Sequence, residues 1–155
     1  MGLKSVTSDP NPTEARRIMV VDDNESIRDF LHHFFSMEGL PAEIIGSPHR
    51  ALDLFRSAPQ EYTLLLTDCE MPGMTGLELA CEVRKLRADL PMIIFSTSVT
   101  VLGERRFLNQ GFMEALPKPV ALTRLREAVR GAMVKNSSPA LRLRRPSRQP
   151  QSEPA

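Results

Sequence analysis

At 155 residues, 41% of them apolar, the chain has room for one ordinary domain with a real core, which excludes wholesale disorder. The net charge of +1 hides an uneven distribution: residues 135–155 hold five basic side chains against Glu153 alone, leaving fifteen basic and eighteen acidic residues before them. No apolar run approaches the roughly 18 residues of a membrane span, the N-terminus lacks the apolar centre of a signal peptide, and Cys69 and Cys81 form neither a disulfide framework nor a repeated metal spacing, so a cytoplasmic chain with reduced thiols and no membrane insertion is expected.

Residues 1–15 are polar, contain Pro10 and Pro12, and predict a flexible arm. Residues 18–21 form a short apolar run, as expected of a strand buried on both faces. Ile27, Phe30, Leu31, Phe34 and Phe35 then make one helical stripe, closed by Gly39. Residues 42–45 read as a second strand. Ser47 before Pro48 is an N-cap with proline at the first helical position, opening a helix that turns Ala51, Leu52 and Phe55 inward. Tyr62–Thr67 is the third strand and ends at Asp68. A loop with Pro72, Gly73 and Gly76 leads to a helix through Leu77, Ala80, Val83 and Leu86. A strand over 92–95, a helix over 101–110, a short strand at 115–116 and a helix over 122–133 complete the pattern, with Leu125, Ala128 and Val129 inward. From residue 135 a Pro- and Arg-rich stretch has too little apolar surface to offset its ordering entropy, so 135–155 is expected to be a disordered basic tail.

Strands alternating with helices predict an α/β fold with a parallel sheet covered on both faces. Ligands of such sheets bind beyond the carboxyl ends of the strands. The residues just past those ends are Asp22, Asp23, Asp68, Ser96, Thr97 and Lys118. Taken singly, Asp22-Asp23-Asn24 and Ser96-Thr97 also suit helix caps, and Lys118-Pro119 suits a turn. Taken together, three close carboxylates repel and call for a cation. Oxygen donors favour Mg²⁺ over zinc, which would want His or Cys, and His32 and His33 fall on the first helix away from this rim. A carboxylate beside Mg²⁺ can take a phosphoryl group as an acyl phosphate, with a lysine neutralising the transferring oxygens and a hydroxyl sensing the product.

Four blocks carry a resemblance: Val20-Val21-Asp22-Asp23-Asn24-Glu25, the run from Asp68-Cys69-Glu70-Met71-Pro72 to Gly76, the run from Pro91 to Ser96-Thr97, and Leu116-Pro117-Lys118-Pro119. Their order and separations (45 residues from Asp23 to Asp68, 28 from Asp68 to Ser96, 50 from Asp68 to Lys118) resemble the receiver domain of two-component response regulators, over residues 16–134. The resemblance implies a doubly wound, flavodoxin-like (βα)5 fold with strand order 2-1-3-4-5. It implies Asp68 as phosphoacceptor, Asp23 as a direct Mg²⁺ ligand, Asp22 as its partner acting through water, and Glu70 as a backbone-carbonyl ligand. Ser96 takes the place of the switch hydroxyl, beside Thr97, and Lys118 that of the phosphoryl-pairing lysine, with a cis bond to Pro119.

The sequence departs from the family's pattern at three positions. Ala115 stands where an aromatic often moves with the switch hydroxyl, Thr97 where a smaller residue is usual, and Val120 where an aromatic is common. Glu70 and Ser98, two residues beyond Asp68 and Ser96, occupy positions that tune acyl-phosphate hydrolysis in the family. The resemblance implies a stand-alone receiver of the CheY-like single-domain type. It would be loaded by a sensor histidine kinase or a histidine phosphotransfer protein and signal through contact with an unknown downstream protein, without being an enzyme. A phosphorelay intermediate and a phosphate sink are equally compatible. A degenerate receiver is weighed against by the intact acidic trio, and an aspartyl-phosphate phosphatase by the lack of an Asp-x-Asp arrangement at Asp68. Nucleic-acid binding through Arg142, Arg144, Arg145 and Arg148 is the weaker reading of the tail, which has no aromatic residues for base stacking.

Overall fold

Strand residues alternate between two buried layers. In β1 (Arg17–Val21) Ile18 and Val20 join one hydrophobic cluster while Met19 and Val21 join another. Period-2 alternation with both sides apolar is what a sheet covered on both faces requires. The computed structural model describes residues 16–137; the arm expected over 1–15 and nearly all of the expected tail lie outside them.

Around β1 the chain runs through α1 (Glu25–Glu38), β2 (Ala42–Ile45), α2 (Pro48–Ser57), a 3-10 turn (Pro59–Glu61), β3 (Tyr62–Thr67), α3 (Gly76–Leu86), β4 (Met92–Ser96), α4 (Ser98–Leu102), α5 (Glu104–Leu108), β5 (Glu114–Pro117) and α6 (Leu122–Ser137). All strand pairs are parallel, in the order β2-β1-β3-β4-β5, the doubly wound order expected. Leu31, Phe34 and Phe35 of α1 and Leu125, Ala128 and Val129 of α6 bury against one face. Leu52, Phe55, Leu79, Val83, Val99 and Phe107 bury against the other. Glu38 ties α1 to α6 by accepting from Arg126 at 2.7 Å and Arg130 at 2.8 Å.

The local signals act as anticipated where a cap is involved. The Ser47 hydroxyl accepts from the Arg50 amide at 3.3 Å ahead of Pro48. Thr75 and Glu78 form a reciprocal capping box that starts α3.

Three expectations are corrected. The helix expected over 101–110 is two short helices, α4 and α5, separated by Gly103 at φ 84°, a conformation that interrupts helical hydrogen bonding. Val101, in the first of them, is 83% exposed. Phe30 sits at the margin of its stripe, 36% exposed, rather than in the core. Last, α6 continues through Ser137, three residues into the stretch expected as a tail.

Gly76 opens α3 hard against β3's exit. Its amide donates to the Cys69 carbonyl at 2.7 Å, and a β-carbon there would lie 1.8 Å from the Asp68 carbonyl oxygen. No side chain can yield to relieve that contact, so the loop backbone would have to move. Gly76→Ala is therefore expected to lower stability by about 1–3 kcal/mol, the usual scale of overpacking, as measured by urea denaturation; a loss below a few tenths would show that the loop relaxes freely.

Candidate functional site

The sheet's register delivers the site. Val21 of β1 lies opposite Thr67 of β3, and the ladder runs one step further, with the Asp68 amide donating to the Val21 carbonyl at 2.9 Å. Asp22 and Asp68 are thereby set side by side at two adjoining strand ends. On the next strands Ser96 pairs with Pro117, and the Lys118 amide donates to the Ser96 carbonyl at 3.3 Å. Lys118 enters the same rim from there. Its peptide bond to Pro119 is cis, as the resemblance implies.

Carboxylate oxygens of Asp22, Asp23 and Asp68 all lie within 4.8 Å of one another. Asp22 is buried and Asp23 exposed. Lys118 is only 12% exposed and bridges two of the three: its Nζ donates to Asp22 Oδ2 at 2.5 Å and lies 3.6 Å from Asp68 Oδ1. It also stands 5.2 Å above the Phe95 ring, an additional cation–π contact. One ammonium against three carboxylates leaves a local excess of negative charge, and the donors are all oxygen. That set fits a hard divalent cation, Mg²⁺ in particular.

Asp22 accepts from the Asn24 amide at 2.9 Å through Oδ1. Asn24, rather than either aspartate, caps α1, accepting from the Ile27 amide at 3.1 Å. The aspartates are thus free of the capping role that was their competing explanation. Asp68 Oδ1 accepts from the Cys69 amide at 2.8 Å. Burial pushes the Asp68 carboxyl above its usual range; Lys118 opposes this, Asp22 reinforces it, and the Cys69 amide and Ser96 hydroxyl favour the charged form. The neighbouring Cys69 thiol is also raised, mainly by burial, with the charges of Asp68 and Glu70 adding to it.

An open cleft of about 600 Å³ lies over these groups, lined by Asp23, Asn24, Ile27, Asp68, Glu70, Thr97, Lys118 and Pro119. Thr97 is exposed at its wall, whereas Ser96 is buried behind it. Ala115 is buried in the cluster that includes Val99, Phe107 and Phe112, and Val120 packs against the opposite cluster. His32 and His33 are exposed on α1 and line no part of the cleft.

Two features went unanticipated. Arg28 of α1 reaches back to donate to the Asp22 carbonyl at 3.0 Å, fixing the acidic loop; its place six residues on, at the helix's second turn, was the available signal. Across the cleft, the Ser98 hydroxyl donates to Glu70 Oε1 at 2.7 Å. The side chain of Glu70 is thus turned to Ser98.

The response regulator receiver domain family matches residues 18–130. Response regulator MprA of Mycolicibacterium vanbaalenii is 32% identical over 123 residues, covering 79% of this chain and 52% of that protein. The chain thus spans about half the length of the curated relatives it matches. Among solved structures, response regulator protein TrrA from Thermotoga maritima, in complex with Mg(2+)-BeF, is 31% identical with a TM-score of 0.67, covering 76% of this chain and 98% of that one. A CheY-like receiver domain protein from Methanospirillum hungatei is 26% identical with a TM-score of 0.67, covering 78% and 95%. A receiver domain protein from Clostridium thermocellum, 22% identical with a TM-score of 0.72 and covering 77% and 95%, shares the fold. Among the described residues no helix is long and apolar enough to cross a membrane.

The raised Asp68 carboxyl fixes a sign. A folded-state value above the unfolded one means that ionising Asp68 costs stability, so its contribution is most favourable below pH 3.8 and is lost as pH rises through the folded value. In the absence of divalent cations, Asp68→Asn is expected to be more stable than the wild type at pH 7, with the advantage shrinking as pH falls toward 3.8. Urea denaturation at several pH values measures it; an Asn variant less stable at pH 7 would show that Lys118, not burial, governs the carboxylate.

Proposed function

The chain belongs to the response-regulator receiver family, and from that premise we propose that it is a phosphorylation switch whose acceptor is Asp68. The observation that carries the reading is the meeting of Asp22, Asp23 and Asp68 within 4.8 Å, with Lys118 bridging two of them. The donor is a phosphohistidine of a sensor kinase or a phosphotransfer protein. An Asp68 carboxylate oxygen attacks its phosphorus, the P–N bond breaks, and the imidazole nitrogen keeps the electron pair.

Each residue has a task in that transfer. The Cys69 amide holds the Asp68 carboxylate in place. Lys118, poised beside Asp68, meets the negative charge on the incoming phosphoryl oxygens. Asp23, Asp68 and the Glu70 backbone carbonyl would hold Mg²⁺, with Asp22 acting through water, and the ion would offset charge on the transferring group. Ser96, buried at the end of β4, is the hydroxyl that answers the new phosphoryl group, and Thr97 narrows the cleft through which the donor enters. The output is contact with a downstream protein in the cytoplasm, the protein serving as a signalling switch rather than a turnover enzyme.

The test is incubation with Mg²⁺ and acetyl phosphate, followed by intact-mass measurement. One labile phosphoryl group is expected, not formed when Mg²⁺ is chelated beforehand and absent from Asp68→Asn. Lys118→Ala should slow its appearance by roughly a hundredfold, the scale for deleting one charge-stabilising donor. Absence of an adduct both from acetyl phosphate and from a phosphorylated histidine donor would overturn the assignment.

A further inference from the structure

Asp22 has its backbone and its carboxylate tied on every side. Its amide donates to the Ile45 carbonyl at 3.1 Å, and its carboxylate accepts from the Asn24 amide at 2.9 Å and from Lys118 Nζ at 2.5 Å. The remaining tie, to its carbonyl, comes from Arg28 Nη1 at 3.0 Å. Helix α1 aims Arg28 at this loop, since the Arg28 amide donates to the Asn24 carbonyl at 3.0 Å. Asp22 is only 1% exposed, so its carbonyl has little water to turn to if Arg28 withdraws. The space that the guanidinium occupies is kept open by Gly46, the residue after Ile45. Gly46 is not among the glycines at positive φ, so its backbone does not demand glycine. A β-carbon there would instead meet Arg28, with Nη1 at 3.0 Å and Cζ at 3.1 Å. Arg28 thus lies between the loop that carries Asp22 and Asp23 and the loop that follows β2.

We propose that Arg28 is a positioning residue of the acidic rim: by holding the Asp22 carbonyl it fixes the Asp22 and Asp23 carboxylates for a divalent cation, and so raises the affinity for Mg²⁺ in spite of its own positive charge. The inference rests on the reading of that rim as a Mg²⁺ site. Two effects of opposite sign meet in this side chain. Its charge repels a cation, and salt screens that effect, the Debye length falling from about 8 Å at physiological ionic strength to about 3 Å at 1 M. Its hydrogen bond organises the ligands, and a short bond to a buried group is screened much less. The carbonyl that Arg28 holds belongs to the peptide unit between Asp22 and Asp23. Without its partner that unit must turn toward water, and the carboxylates on either side turn with it.

Amide NMR on the full chain tests it, comparing wild type with Arg28→Ala and Gly46→Ala. In Mg²⁺ titrations at about 1 M KCl, where the charge effect is screened, Arg28→Ala should bind roughly fivefold more weakly than wild type, the worth of one hydrogen bond. Gly46→Ala keeps the charge and crowds the guanidinium, so it should weaken binding in the same direction by a smaller factor. A role confined to stability would leave the affinity of the folded protein unchanged. Without divalent cation, the Asp22 and Asn24 amides, both hydrogen-bonded in the loop, should exchange roughly fivefold faster in Arg28→Ala, while central-strand amides such as Leu65 should be unchanged. An Arg28→Ala protein that binds Mg²⁺ as tightly as wild type or more tightly at that salt overturns the role of Arg28, as do wild-type exchange rates at both loop amides. A wild type that binds no Mg²⁺ counts instead against the rim as a metal site, and the exchange comparison then decides whether Arg28 holds the loop.

Discussion

Repulsion among Asp22, Asp23 and Asp68 is the constraint around which the rest of the molecule is arranged. With oxygens no more than 4.8 Å apart, each pair of full charges would cost about 3 kcal/mol at the effective dielectric of a protein surface. The chain cannot relieve this by separating them, because Asp22 and Asp68 are the next residues out from paired strands. The parallel ladder is itself fixed by side chains buried on both faces, each worth about 1.5–3 kcal/mol, so a few core residues outweigh one repulsive pair. Lys118 offsets part of the rest, and its burial makes that bond effective because little water competes with it.

The core and the rim were legible for the same reason. Runs such as Leu64, Leu65 and Leu66 are apolar at every position, which only a doubly covered strand tolerates; once strands are placed, their last residues name the site. Ser47, Pro48 and Thr75 likewise work through chemistry local to a few residues. The reading failed where the deciding fact lies between segments or in a single dihedral. Residues 101–110 carry Val101, Leu102, Phe107 and Leu108, yet only Phe107 is buried, and Gly103 divides the segment. The bond from Ser98 to Glu70 joins residues 28 apart, and nothing in either neighbourhood announces it.

The departures at positions 97, 115 and 120 gain meaning from their surroundings. Thr97 is exposed and lines the cleft while Ser96 is buried, so bulk is added at the cleft wall and not at the end of β4. Ala115 leaves its share of the core to Phe107 and Phe112, which meet edge to face with ring centres 6.5 Å apart.

Cys69 raises a question of chemical selectivity. A thiolate is a stronger nucleophile than a carboxylate, and this one is attached to the very next residue after Asp68. Its burial, and after it the negative charges beside it, raise the thiol above its ordinary range and favour the protonated sulfur, whereas Cys81 is exposed. Burial, with the charge crowding of the rim adding to it, therefore keeps the thiol next to Asp68 in its less nucleophilic protonated form.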